Sequence, residues 1–487
     1  MSGLNQKNAR SSCWISPSGH VQEECGVFGL INREGFQGPR DPAMDAYHAM
    51  FALQHRGQDS CGICACIDGR LVLYRNQGLV PEVFSPEQLK RLSGACGAIG
   101  HVRHATNASE VNPANAQPIV ARHASGSMAL CYNGRLANSR ALRREMENRG
   151  GIFQTTNDAE VITYLIVREH LRTYTLADAV LNAMEYMIGA FSLVIMNEKA
   201  LIAARDPNGF RPLCVGKVDG CWCFASESCA IEALGGTFVR DVEPGEVLVA
   251  VGSELKSYHS RIRVARRAFC AFELIYFARQ DSVVDGISIG KVREEFGRAL
   301  ARKSDVKADV VIGVPDSGIP AAMGYARESG LPYAMGLMKN RYIQRTFIQS
   351  QKLEREESLR IKLNAVHSVV RGQRIIMVDD SIVRGGTSAR IVRLLRDAGA
   401  KEVHVKVTAP PFLYPCDYGT NIPSREQLAA YNRTHEEICQ LIGADSLQYL
   451  SLEDIRMVAR DVGVCDACFT GDYVLPHNDN DETKPTM

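Results

Sequence analysis

The sequence has almost no net charge: 56 Lys and Arg against 55 Asp and Glu leave +1 over 487 residues. A chain without an excess of either sign lacks the broad electrostatic footprint of a nucleic-acid or membrane-surface protein, while leaving room for local basic pockets. It also lacks a long unbroken apolar run. Met1 to Glu24 contains no apolar core of the kind a secretory signal carries, and the apolar stretch from Leu176 to Met196 is interrupted by Asp178, Asn182 and Glu185, so no membrane partner is expected. Internal repeats, low-complexity tracts and a convincing helix-turn-helix are absent as well, which argues against a nucleic-acid partner. What remains, at 45% hydrophobic and 23% charged residues with 41 Gly, is a globular chain rich in tight turns and long enough for two large domains or three small ones.

Cysteine is plentiful, 16 residues, but too dispersed for a secreted disulfide scaffold, and a reducing cytoplasm is the expected location. From Cys25 to about Ala265, short apolar runs such as CGVFGLI, GICACI, RLVLYR, SMALCYN, FSLVIMN and EVLVAV predict strands. Two helices, Ala43 to Gln54 and Asp158 to Tyr174, interrupt them, the second with Val161, Ile162, Leu165 and Ile166 on one face. This is an α+β domain. After the basic patch Arg261 to Arg267 the rhythm becomes strand, helix, strand: ADVVIGV, a helix from Gly318 to Arg327, LPYAMGL, RIIMVDD, a helix from Ser388 to Ala398, and EVHVKVTA. That alternation predicts an α/β domain with a parallel sheet. The expected divisions are a leader at 1–24, the first domain at 25–265, the second at 266–460, and a tail at 461–487 that carries a CxxC and ends in NDNDETKPTM.

In IIMVDDSIVRGGTSARIVRLL a buried strand ends in two carboxylates, Asp379 and Asp380, and a glycine-rich loop then opens a helix. Strand ends of an open α/β sheet face the ligand crevice, and a loop entering a helix offers backbone N–H groups and a positive dipole end to phosphate. Gly385 and Gly386 permit close approach, and Ser381, Thr387 and Ser388 add hydroxyls; no Lys follows the glycines, so this is not a Walker loop. The segment resembles the phosphoribosyltransferase signature. That resemblance implies that Asp379 and Asp380 hold the ribose hydroxyls of phosphoribosyl pyrophosphate, with Ser381, Arg384, Gly385, Gly386, Thr387 and Ser388 around its 5-phosphate. It also implies that Asp316, Ser317 and Gly318 of GVPDSGIP meet the pyrophosphate, and that Ser317, Asp379 and Asp380 meet Mg²⁺. The cationic stretch with Lys339, Arg341, Arg345 and Lys352 is suited to close over the site.

The first half carries EECGVFGL, HRGQDSCGI, GHVRHAT, YNGRLANS and TNDAEVI in that order, and together they resemble the class II glutamine amidotransferase domain, an N-terminal nucleophile hydrolase built as a sheet sandwich with helical layers. The resemblance implies Cys25 as nucleophile, Asn133 and the Gly134 N–H as oxyanion hole, and Arg56 and Gly57 lining the pocket. Arg103 would take the glutamine α-carboxylate and Asp158 its α-amine. Such a nucleophile uses its own α-amine as base, so residues 1–24 would have to be removed. His104, Tyr132 and the HATNAS segment depart from the usual pattern of that family.

Cys270, Cys416, Cys465 and Cys468 lie in segments that match one branch of the same family, which implies a 4Fe–4S cluster; a zinc site is the chemical rival and packed thiols are the simplest alternative. Cys61, Cys64, Cys66, Cys221 and Cys223 alternate with apolar residues and are expected to pack. Both halves in this order are similar to the glutamine phosphoribosylpyrophosphate amidotransferase family, which implies glutamine and phosphoribosyl pyrophosphate as substrates, Mg²⁺, inhibition by purine nucleotides and a homotetramer. Other glutaminase fusions, such as glucosamine-6-phosphate synthase and asparagine synthetase, have different partners, and VDDSIVRGGTS fits neither.

Overall fold

The computed structural model describes residues 25–32, 40–104, 112–124, 126–264, 266–340, 363–422, 424–459 and 462–475. The leader and Arg341, Arg345 and Lys352 lie outside these residues. The first domain is built on two antiparallel sheets. One has seven strands in the order Thr237–Asp241, Cys214–Val218, Cys221–Ala225, Gly26–Ile31, Gly97–Arg103, Ser60–Ile67 and Arg70–Gln77. The other has six: Glu254–His259, Glu246–Val251, Leu201–Arg205, Gly189–Met196, Gly126–Leu136 and Ile119–His123.

Three separate apolar clusters show how the layers stack. Val27, Cys64, Cys66 and Ile99 meet Cys131, Val194 and Leu248 between the sheets. Phe28, Ile63 and Val102 on the opposite face of the first sheet pack under the helix Pro42–Ala52 through Ala46, Ala49 and Met50. Leu130, Phe191 and Leu193 on the outer face of the second sheet pack under Asp158–His170 and Leu176–Met184. Because strand side chains alternate faces, one strand feeds two cores, and a four-layer helix–sheet–sheet–helix sandwich follows.

The helix expected at 158–174 ends at His170. Thr175 is the reason: its Oγ1 accepts from Asp178 N at 3.1 Å and caps the next helix, Leu176–Met184, so the chain must turn between them. The acids that interrupt the apolar stretch from Leu176 to Met196 therefore belong to a half-exposed helix and the turn after it.

The second domain has a four-stranded parallel sheet, Val310–Gly313, Arg374–Asp379, Glu402–Val407 and Ser446–Tyr449, over one continuous core. Ile289–Arg302 and Gly318–Ser329 pack against each other, and close approach is possible because Gly297 lies against the Ala321 backbone and Gly324 against that of Glu294. The strand expected from LPYAMGL does not form: within it Tyr333 makes a single parallel bridge to Val311, and the strand here is Leu337–Lys339, which starts at its last residue and pairs with Leu363–Ala365. Beyond residue 461, Val464–Cys465 pairs in parallel with Phe269–Cys270, and Phe469 is buried, so this part of the tail is fastened to the domain junction.

Candidate active sites

Cys25 stands immediately before the central strand Gly26–Ile31 and is half-buried. It lies close enough to Cys131 and Tyr132, on the facing strand Gly126–Leu136, to disfavour their ionisation beyond what burial does. The next residue on that strand, Asn133, is fully buried, and neither its Nδ2 nor its Oδ1 has a hydrogen-bond partner among the described residues. An unmet buried amide is costly, and such groups mark strain or function. Gly134 follows at φ +143°, where a Cβ would sit 2.0 Å from the Ala190 carbonyl oxygen, so only glycine fits. The strand is braced just before this pair: Tyr132 N donates to Gln117 Oε1 at 2.7 Å, and His101 Nε2 lies 2.9 Å from the Tyr132 carbonyl. Burial holds His101 down at about 3, so it is neutral and donates through Nε2.

Arg103 ends the strand Gly97–Arg103 and is buried. Gly57 packs flat against it, with no room for a Cβ beside the Val102–Arg103 backbone. Asp158 begins the helix Asp158–His170, its carboxylate fixed by Leu136 N at 3.1 Å and Ser139 Oγ at 2.5 Å. Arg56 differs from the expectation that it lines the pocket. Its side chain is fully buried, Nε donates to the Cys25 carbonyl at 3.2 Å, and its remaining donors go to Glu227 and Glu273, so it holds the nucleophile's main chain from behind. Of the departures from the family pattern, Tyr132 is buried and His104 Nδ1 sits 2.8 Å from Asp59; residues 105–109 of HATNAS are outside the described residues.

In the second domain the strand Arg374–Asp379 delivers Asp379 and Asp380 to the carboxyl end of the sheet, both buried. Their carbonyls accept from Thr408 N at 3.0 Å and Ala409 N at 2.9 Å, which continues the ladder to the neighbouring strand and fixes the pair. Asp380 accepts from Ser317 Oγ on one carboxylate oxygen and from Ser381 Oγ, at 2.5 Å, on the other. Ser317 reaches it because Gly318 packs against the Val378 carbonyl, where a Cβ would lie 2.5 Å away. The loop then turns through Gly385 at φ +80° into the helix Gly386–Asp397; Thr387 and Ser388 are buried, Gly386 is open to solvent, and the buried Arg384 Nε has no partner among the described residues. Lys339 Nζ lies 2.7 Å from Asp316, both exposed at the mouth. Asp316, Ser317, Gly318, Asp379, Asp380 and Ser381 thus share one crevice, with the Gly385–Ser388 turn at the head of the next helix.

Cys270, Cys416, Cys465 and Cys468 line a single cavity together with Arg211, Phe272 and Tyr418. Burial pushes the Cys270, Cys465 and Cys468 thiols up, and neighbouring cysteines of the cavity add to it. The other cysteines expected to pack, Cys61, Cys64, Cys66, Cys221 and Cys223, are buried in strands. Residues that the sequence does not single out hold these sites in place: Gln117 and His101 behind Asn133, Glu227 and Glu273 around Arg56, and Arg293, whose guanidinium caps the carbonyls of Leu274 and Ala278.

Residues 101–233 match the family described as a glutamine amidotransferase domain, and residues 289–411 match the phosphoribosyl transferase domain. The chain is 47% identical over 453 residues to the amidophosphoribosyltransferase of Archaeoglobus fulgidus, covering 92% of this chain and 97% of that one. With the amidophosphoribosyltransferase of Bacillus subtilis it shares 45% over 474 residues, covering 94% and 97%. Among solved structures it is similar to the glutamine phosphoribosylpyrophosphate amidotransferase from B. subtilis complexed with ADP and GMP, with a TM-score of 0.86 and 44% identity over 94% of this chain and 98% of that one. These matches run through both domains, the crevice and the cysteine-headed sheet alike, and the chain belongs to the amidophosphoribosyltransferase family.

Proposed function

We propose that Cys25 hydrolyses glutamine and that the ammonia released passes through the interior to the Asp379–Asp380 crevice, where it displaces pyrophosphate from C1 of phosphoribosyl pyrophosphate to give 5-phosphoribosylamine, the first committed step of purine synthesis. The Asn133 amide is the observation that carries the first half: a buried, unpartnered donor beside a glycine whose backbone can turn its N–H the same way suits a developing oxyanion. The Cys25 thiolate attacks the amide carbon, Asn133 Nδ2 and Gly134 N–H take the negative oxygen, the C–N bond breaks to free ammonia, and water hydrolyses the thioester to glutamate. Arg103 pairs with the α-carboxylate of glutamine, and Asp158, oriented by Leu136 N and Ser139 Oγ, takes its α-amine. The base is the α-amine of Cys25 itself, which requires residues 1–24 to be gone in the active form.

At the crevice, Asp379 and Asp380 accept the ribose hydroxyls, the Arg384–Ser388 turn takes the 5-phosphate on backbone N–H groups and hydroxyls, and Asp316 to Gly318 meets the pyrophosphate. Lys339, with Arg341 beyond it in sequence, supplies positive charge to the leaving group. Among the described residues no group of three His, Cys, Asp or Glu side chains is arranged to hold a metal ion. Mg²⁺ binds through one or two carboxylates plus substrate phosphates and would be held by Asp379, Asp380 and Ser317. Bound there, the ion neutralises charge on the departing pyrophosphate.

The four cysteines fit a 4Fe–4S cluster: they supply an all-sulfur donor set around one cavity. Cys270, Cys416, Cys465 and Cys468 would ligate it, and its chemistry here is structural, tying junction, second domain and tail. Purine nucleotides as inhibitors, a homotetramer and a cytoplasmic location complete the reading; among the described residues no helix is long and apolar enough to cross a membrane. Intact mass of the active enzyme tests the nucleophile assignment. A chain beginning at Cys25 is expected, and full glutaminase activity in a chain that retains Met1 to Glu24 would overturn it.

A further inference from the structure

The chemistry assigned to glutamine uses groups of the first domain, yet the main chain of the nucleophile is tied to the second. Arg56 Nε donates to the Cys25 carbonyl at 3.2 Å. The same guanidinium donates to both oxygens of Glu273, from Nη2 at 2.5 Å and Nη1 at 2.9 Å, and to Glu227 Oε1 at 2.7 Å. All three side chains are fully buried. Glu273 lies three residues after Cys270 and opens the short helical segment Glu273–Phe277, whose carbonyls of Leu274 and, just beyond, Ala278 are capped by Arg293. On its other side Arg211 Nη1 stands 3.8 Å from Glu273 Oε1, and Arg211 lines the four-cysteine cavity.

The two acids have different work. Glu227 is also held by His55 at 2.7 Å, Ser282 Oγ at 2.6 Å and Arg279 N at 2.8 Å, so its position does not depend on Arg56. The described hydrogen bonds to the Glu273 carboxylate come from Arg56 alone. A two-pronged carboxylate fixes the plane of a guanidinium, and a single oxygen does not. Without the fork, Arg56 would re-centre on Glu227 and draw its Nε away from the Cys25 carbonyl.

We propose that Glu273 is a positioning residue for glutamine hydrolysis, contributed by the junction segment and acting through Arg56 on the backbone of Cys25. The inference rests on Cys25 being the nucleophile. It makes the glutaminase site incomplete without the second domain, and places the cavity-lining segment that carries Cys270 in mechanical contact with the first reaction.

The test is Glu273→Gln in the full mature enzyme, with Cys25→Ala as reference. Displacing a reacting atom by a fraction of an ångström is expected to lower kcat for glutamine hydrolysis about ten- to a hundredfold and to slow alkylation of Cys25 by iodoacetamide comparably. The KM for glutamine should stay within about threefold, because Arg103 and Asp158 are untouched, and ammonia-dependent synthesis should be retained. Glu273→Asp keeps the charge one methylene short; it should show the same split with a smaller loss, and decides the matter should Glu273→Gln not fold. An unchanged kcat, or parallel loss of glutamine- and ammonia-dependent synthesis in both variants, would overturn the proposal. Glutamine hydrolysis by Cys25→Ala would instead remove the nucleophile assignment on which it rests.

Discussion

Asn133→Ala separates stability from catalysis, because loss of this one amide should leave the first nearly unchanged and cost the second heavily. In the folded protein both polar atoms of Asn133 are buried without partners, a burden of about 1 to 3 kcal/mol for a group that leaves water and gains nothing. Truncation removes that burden and leaves a void of about 50 Å³, which at ~24 cal/mol per Å³ costs on the order of 1 kcal/mol. The two terms nearly cancel, so chemical denaturation should find the variant within about 1 kcal/mol of the parent. Glutamine hydrolysis should fall about 10²- to 10³-fold, the loss of roughly 2.7 to 4 kcal/mol that follows removal of one oxyanion donor. Ammonia-dependent synthesis reads the second site and should hold. A variant destabilised by more than about 3 kcal/mol with near-normal glutaminase would show that Asn133 is a structural amide and refute the reasoning.

Cys25→Ala should abolish glutamine use and leave synthesis from ammonia, measured as phosphoribosylamine formed from either donor. Asp379→Asn combined with Asp380→Asn should raise the KM for phosphoribosyl pyrophosphate strongly, since each ribose hydroxyl loses a charge-assisted acceptor worth about 1.5 to 3 kcal/mol; an unchanged KM sinks that assignment. Replacing Cys468 or Cys270 should cost visible absorption, iron and stability together, whereas Cys64 or Cys223 should cost only a packing increment of about 0.5 to 3 kcal/mol with iron unchanged. Lys406 is buried and burial pushes it down to about 8, with Ser304 and Gln448 as its partners among the described residues. Below that pH it is charged in both states and the folded state bears the penalty, which fades as pH rises from about 8 towards the unfolded value near 10.4. Lys406→Met should therefore be more stable than the parent at pH 7 by about 1 to 2 kcal/mol, a margin that closes by about pH 10.5 in denaturant titrations.

Contiguous chemistry was the legible part of this chain. Asp379 to Ser388 form a strand end, a turn and a helix start within ten residues, so residue type and order suffice to read a phosphate site there. Asn133 and Gly134 read equally well as an ordinary hairpin turn; only the buried, unpartnered amide distinguishes the two. The node around Arg56 was not legible, because Glu227 and Glu273 lie 171 and 217 residues away and no local pattern joins them. For the same reason the HRGQ pattern places Arg56 at the pocket, whereas its side chain is fully buried against Glu227 and Glu273. Ile289–Arg302 carries a weak helical signal because its buried positions, among them Val292, Phe296 and Leu300, are diluted by Arg, Lys and Glu, and Ser446–Tyr449 a weak strand signal because a half-buried edge strand needs little apolar content.

The central claim, that one chain couples a cysteine glutaminase to pyrophosphate displacement, is tested most directly by counting both products in one reaction. With glutamine, phosphoribosyl pyrophosphate and Mg²⁺ supplied at saturating concentration, glutamate and pyrophosphate should appear in a one-to-one ratio, and Cys25→Ala should release neither; added ammonia should restore its pyrophosphate release and not its glutamate release. Glutamate formed without pyrophosphate, or pyrophosphate released from phosphoribosyl pyrophosphate by Cys25→Ala at the parent's rate with glutamine as the sole nitrogen donor, would contradict the account.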